Sequence, residues 1–248
     1  MCIRDSRYIL GLYSLLECLT EEFPDILFES CAGGGGRFDA GMLYYMPQVW
    51  ASDNTDPISR IQIQYGTSLV YPISTIGAHI ADIPSHQTRR KTPIEIRSDV
   101  ASSGLLGLEL DLAKVQTEDL TIMKEKINFY KVNRSLIQFG TFTRLLSPFG
   151  NNDAAWSFIS SDRSECLVYY FQTLQQPEPA FKPLKLRGLE PLAIYQSEDD
   201  EISASGAELM NLGIWVNQKK HGDFYSLALK FKKIGEIDHE GTNTHTRE

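Results

Sequence analysis

Four consecutive glycines mark the most unusual stretch of the sequence, Glu29-Ser30-Cys31-Ala32-Gly33-Gly34-Gly35-Gly36-Arg37-Phe38-Asp39. They follow the apolar run Ile26-Leu27-Phe28, which reads as a buried strand stopped by glycine. Glycines at that point let the main chain approach a ligand closely or take positive φ angles, with a plain flexible loop as the competing reading. A phosphate loop does not fit, because no Gly-Lys-Ser/Thr follows and no GxGxxG frame is present. The second candidate is Asp53, in Trp50-Ala51-Ser52-Asp53-Asn54-Thr55-Asp56. An aspartate ahead of a helix is ordinarily a cap, and Asp56 could equally fill that place. At the C-terminal end of a barrel strand, where barrel enzymes keep their active sites, Asp53 could instead do proton chemistry. Trp50 reads either as core or as a platform for a ligand. His79 and His86 are seven apart in a proline-containing stretch, too irregular for a metal pair, so neither metal nor cofactor is expected. Asn133-Arg134-Ser135 matches a glycosylation sequon but falls within a helical pattern.

These residues need elements to hold them. Met46 to Trp50 forms a second strand candidate, and Asp56-Pro57 an N-cap followed by proline in the first turn. Ile58, Ile61, Tyr65 and Leu69 then recur at helical spacing. Thr75 to Ile80 and Leu105 to Leu112 are further strand candidates. Thr117 caps the next helix, Glu118 and Asp119 sit near its positive end, and Leu120, Met123, Ile127 and Tyr130 form its buried stripe. Alternation of this kind predicts a parallel sheet with crossover helices. Four such units amount to about half of an eightfold barrel of roughly 250 residues. From Thr141 the texture changes to short strand-like pieces, clearest at Ala155–Ile159, Cys166–Phe171 and Phe224–Phe231, separated by turns such as Gln176-Pro177-Glu178-Pro179. The fold class is therefore α/β plus all-β: the second half of a (β/α)8 barrel over 7–140, then a small antiparallel β domain over 141–234. Residues 235–248 are nearly devoid of apolar side chains and read as a disordered tail.

Composition narrows the partners. The chain has 248 residues, 42% hydrophobic and 23% charged, with a net charge of −8. No basic patch emerges to neutralise phosphates, which argues against a nucleic-acid partner. No apolar run approaches the roughly 20 residues that span a bilayer, so no membrane partner is expected. Cys2, Cys18, Cys31 and Cys166 are widely spaced with no CxxC pair, suiting free thiols in a reducing compartment, and the start lacks a signal-peptide pattern. The expected location is cytoplasmic.

The stretch from Glu29 to Pro72, with Gly77-Ala78-His79-Ile80, His86-Gln87-Thr88 and Leu108-Glu109-Leu110-Asp111-Leu112, resembles glycoside hydrolase family 36 α-galactosidases of bacterial type. The resemblance runs from about Arg7 to about Ile234. It implies a (β/α)8 catalytic barrel with a C-terminal antiparallel β domain, and retaining hydrolysis of terminal α-linked galactose from melibiose- and raffinose-type sugars. The family's general acid/base falls on Asp53, and its galactose-binding Cys-x-Gly-Gly segment on Cys31 and Gly34; Trp50 would lie in the same pocket. Retaining glycosidases need two carboxylates about 5–5.5 Å apart, one as nucleophile and one as acid/base with a pKa raised toward neutrality. The family's nucleophile lies in a Lys-Trp-Asp-Met-Asn-like strand that this chain lacks, so the sequence reads as a C-terminal fragment without activity of its own. Met1 to Ser6 match nothing expected of the family and read as a non-native leader. Ala32 stands where Ser is common, and Arg90 where Gly is expected in a His-Gln-Thr-Gly-Arg run. The family implies homotetramers. Alternatives are a catalytically dead carbohydrate-binding fragment, or α-N-acetylgalactosaminidase specificity, against which the Cys31 wall near the sugar's 2-position argues.

Overall fold

A computed structural model describes residues 3–31, 33, 36–177, 183–199, 201–216, 222–237 and 243–245. The first part alternates helices and short parallel strands: α1 (Ile3–Glu22), β1 (Glu29–Ser30), α2 (Ala40–Tyr45), β2 (Gln48–Val49), α3 (Pro57–Thr67), β3 (Gly77–Ala81), α4 (Ile94–Ser102), β4 (Leu105–Glu109) and α5 (Thr117–Phe139). β1 runs parallel to β2, and β3 parallel to β4 over five residues. A single parallel bridge, Val49 to Ile76, joins the two pairs. All four strands therefore point the same way, in chain order. No helix among the described residues is long and apolar enough to cross a membrane.

Local chemistry explains most boundaries. Asp56 caps α3 by accepting the Ser59 amide, and Pro57 occupies the first turn, where its missing N–H has no cost. α5 starts one residue earlier than its sequence cap suggests. Gln116 is the cap, with no side-chain bond, and Thr117 is already helical; Glu118 and Asp119 lie in the first turn as expected. Met123 and Tyr130 are buried, with Leu120 and Ile127 packed at the margin of the core. Side chains alternate across β3. Ala78 and Ile80 pack against Ile94, Ala101 and Met123 of the helices, so Gly77, His79 and Ala81 face the opposite side.

Ile26-Leu27-Phe28 is not the strand. Pairing begins at Glu29, and Leu27 is 88% exposed. An apolar run becomes a buried strand only when neighbours cover it, and among the described residues β1 pairs with β2 alone. The fourth strand likewise ends at Glu109, with Leu112 exposed in a 3-10 turn.

The second part is one antiparallel sheet in the order β5-β6-β7-β10-β8-β9, with β11 paired to β10. Its strands are β5 (Thr141–Leu146), β6 (Asp153–Ile159), β7 (Glu165–Gln172), β8 (Ala193–Ser197), β9 (Ser203–Ser205), β10 (Tyr225–Ile237) and β11 (Asn243–His245), with α6 (Gly206–Asn211) after β9. β6 and β7 are buried on both faces. Trp156, Phe158, Tyr169 and Phe171 pack with Ile61, Ile96, Val100 and Tyr130 of the helices in one continuous core. The other face covers Val168, Tyr170, Leu184, Leu209 and Ile214. Asp99, wholly buried, ties the two parts by accepting Lys126 Nζ and Ser226 Oγ, each at 2.7 Å. The expected tail is shorter than its composition suggests. β10 runs to Ile237, and 243–245 pair back on it, because main-chain bonds rather than apolar side chains hold this edge; 238–242 and 246–248 lie outside the described residues.

Candidate active site

Because the four strands are parallel, their C-terminal ends gather Cys31 after β1, Trp50 to Asp53 after β2, Asp82 after β3 and Leu110 after β4. Trp50 N donates to Ser30 O at 2.9 Å, which sets Trp50 beside the residue preceding Cys31. Cys31 is exposed and lines a cleft of about 310 Å³ with Tyr8, Arg37 and Met42. Gly34 lies outside the described residues. On the far side, Thr55, Asp82, His86 and Glu109 line a cleft of about 360 Å³. Asp53 lines neither; its loop follows the strand between them.

The two aspartates weighed as caps have separate positions. Asp56 is fully buried, and its Oδ2 accepts Ser59 N at 3.1 Å, Ser59 Oγ at 3.0 Å and Arg90 Nη1. Asp53 is exposed, and its carboxylate bonds to no described residue. The loop carrying it is held at every other position. Ser52 Oγ accepts Asn54 N at 3.2 Å, and Asn54 Oδ1 accepts Asp56 N at 3.0 Å. Gln87 Nε2 donates to the Asp53 carbonyl, while Gln87 Oε1 accepts Thr55 Oγ1 at 3.3 Å and Ser85 Oγ at 3.2 Å. The Asp53 carboxylate thus stands without a described partner on a main chain held by its neighbours.

Trp50 is 8% exposed, and its ring is already engaged. His79 stacks on it with centroids 4.1 Å apart and an interplanar angle of 14°, and the Arg60 guanidinium carbon lies 4.5 Å from the ring centroid. Trp50 is thus packed against His79 and Arg60 and is not an open platform. His79 Nδ1 lies 3.1 Å from Glu109 Oε2. The ring fits because its register partner is Gly107, where a Cβ would fall 2.5 Å from His79 Cδ2. Burial pulls the Arg60 pKa down to about 10, with Glu109 opposing.

The turn after β3 corrects one expectation. The left-handed residue is Arg89, φ 59°, so the position that suits glycine is 89 and not 90. Arg90 instead reaches Asp56 and lies over Phe224, 5.9 Å from its centroid. Sequence reasoning gave no role to Arg60 or Gln87, since their bonds to the Asp53 loop and to Gly77 span 8 to 34 residues and leave no local pattern.

Residues 3–140 match the family described as Melibiase, and residues 153–231 match the Glycosyl hydrolase family 36 C-terminal domain. The chain belongs to glycoside hydrolase family 36. The Melibiase match starts at Ile3, within α1. Among family 36 relatives, the chain is 50% identical over 228 residues to "Alpha-galactosidase AgaA" of Geobacillus stearothermophilus, covering 92% of this chain and 31% of that protein. It is 49% identical to "Alpha-galactosidase 1" of Pediococcus pentosaceus, covering 93% and 31%. The crystal structure of an AgaA variant in complex with 1-deoxygalactonojirimycin superposes with a TM-score of 0.89 at 49% identity, covering 92% of this chain and 32% of that one. Another AgaA variant, in complex with raffinose, superposes equally well, with a TM-score of 0.89. The chain spans about a third of the length of these curated relatives.

Proposed function

We propose that this chain supplies the acid/base half of a retaining α-galactosidase that removes terminal α-galactose from melibiose- and raffinose-type sugars. The observation that carries the reading is Asp53: an unpartnered, exposed carboxylate at the end of β2, on a loop fixed by Gln87, Asn54 and Arg60. In this reading β1 to β4 are the second half of a (β/α)8 barrel, and the antiparallel sheet is its C-terminal domain. Cys31 and Gly34 seat the galactose, Trp50 walls the pocket, and Asp53 protonates the leaving oxygen and then deprotonates water. The nucleophile comes from barrel strands outside these residues, so the 248-residue chain alone has no turnover. Homotetramers and a cytoplasmic setting belong to the same proposal.

The test replaces the matching third of AgaA with this chain. The chimera should hydrolyse melibiose, and Asp53→Ala should abolish that turnover. Undiminished melibiose hydrolysis by the Asp53→Ala chimera would sink the assignment. Sustained hydrolysis of 4-nitrophenyl α-galactoside by the 248-residue chain alone would overturn the division of labour.

A further inference from the structure

The parallel ladder between β2 and β3 consists of the single bridge Val49–Ile76. Beyond it the two strands part, and the segment Trp50 to Asp53 leaves the sheet without ladder bonds to β3. One side chain fills the gap. Arg60, at the end of the first turn of α3, donates from Nη1 to Ser52 O at 3.2 Å and from Nη2 to Gly77 O at 2.6 Å. Its two donors thus span the opening, one on the residue before Asp53 and one on the first residue of β3. The same guanidinium lies over the Trp50 ring, which His79 stacks upon, with Glu109 beside His79 Nδ1.

Arg60 is an expensive residue for a merely space-filling task. It is 1% exposed, makes no ion pair with a described residue, and leaves its buried Nε without a partner among them. Burial lowers its pKa to about 10, because the charged form loses its hydration there. An apolar side chain of similar length would fill the volume without that desolvation. What it could not do is hold the Ser52 and Gly77 carbonyls in fixed relation.

We propose that Arg60 is a positioning residue for the general acid: it substitutes for the missing β2–β3 ladder and fixes the main chain from which Asp53 reaches the leaving oxygen. This deepens, and rests on, the reading of Asp53 as acid/base. Arg60 itself touches no substrate.

Positioning of an acid has a signature that general destabilisation lacks. Protonation matters for a sugar leaving group and hardly at all for 2,4-dinitrophenolate, which departs unaided. The experiment measures kcat/KM, which reports the glycosylation step, for melibiose, 4-nitrophenyl and 2,4-dinitrophenyl α-galactosides. It uses the AgaA chimera carrying this chain, as Arg60→Met and Asp53→Ala. Misplacement of a catalytic group by about 1 Å can cost on the order of 100-fold. Arg60→Met should therefore lose about that factor on melibiose and less than roughly 3-fold on the dinitrophenyl substrate, all three being assayed well below the variant's melting temperature. A loss equal across the three substrates, or no loss on melibiose, overturns the proposal. Should Arg60→Met fail to fold, Arg60→Lys carries the same comparison, since it keeps the charge but not the two-pronged reach. If Asp53→Ala is steep and the Arg60 variant flat, only this inference fails; if Asp53→Ala is itself flat, the acid/base reading fails.

Discussion

Asp53 and Asp56 lie three residues apart, and the structure assigns them opposite thermodynamic characters. Replacing each by alanine in the 248-residue chain separates them without any substrate. Asp56→Ala removes the α3 cap, worth about 1 kcal/mol, and both bonds to Ser59. It also strands Arg90. Breaking a fully buried pair costs about 3–5 kcal/mol, but Arg90 is 33% exposed and can rehydrate, so about 2 kcal/mol is the appropriate share. Asp56 Oδ1 has no partner among the described residues, so relief of its desolvation returns a little of this. The total is about 3 kcal/mol, or a fall of roughly 6–12 °C in melting temperature for a domain of this size. Asp53→Ala removes an exposed carboxylate with no described partner and should stay within about 0.5 kcal/mol of the parent. Thermal unfolding followed by circular dichroism reads both. Equal losses, or a neutral Asp56→Ala, would show that the loop is not built as described.

Two further outcomes follow from local features. Arg89 holds φ 59° at a cost glycine does not bear, so Arg89→Gly should raise stability by about 0.5–1 kcal/mol, seen as a higher urea midpoint; a lower midpoint would mean that the Arg89 side chain contributes more than its backbone costs. The α1–α2 contact should depend on pH through Tyr13 and Asp39, whose hydroxyl-to-carboxylate bond is 2.7 Å. Burial works to raise the Asp39 pKa, but the Tyr13 hydroxyl and the Met42 and Gly41 amides together hold it below 3.8. The Asp39 bond raises Tyr13 from 10.0 to about 12. A depressed carboxylate contributes stability above its unfolded pKa and loses it as pH falls through the folded value; a raised phenol contributes below 10.0 and loses it as pH climbs toward about 12. Asp39→Asn should therefore be less stable than the parent by a constant margin between about pH 5 and 9, with the margin closing below about pH 3. A margin unchanged at about pH 2 would contradict the linkage.

How far the sequence carried the fold depended on whether its signals were local. The Asp56-Pro57 start of α3 was legible because a cap and a proline act within one turn. β6 and β7 were legible because strands covered on both faces need long apolar runs. Ile26-Leu27-Phe28 misled for the complementary reason: hydrophobicity says what a segment could bury, not what lies beside it. The end of β10 was hidden because main-chain bonds hold Gly235 and Ile237 in place. In the site, Asp53, Cys31 and Trp50 do fall at neighbouring strand ends, a consequence of parallel order that strand and helix alternation already implied. The contacts of Arg60, Gln87 and Arg90 were not legible because each reaches a segment distant in sequence. The tryptophan could not be told from a platform until His79 and Arg60 were seen against its ring.

The role of Asp53 is tested most directly by what azide does to its alanine variant. In the AgaA chimera, Asp53→Ala can still form the galactosyl-enzyme from 4-nitrophenyl α-galactoside, but it lacks a base to activate water. Azide needs no base and enters from the face that water would have used. Azide should therefore accelerate the variant and yield α-galactosyl azide, identifiable by proton NMR. No acceleration and no azide product, or formation of the β-anomer, would contradict the assignment of Asp53 as acid/base.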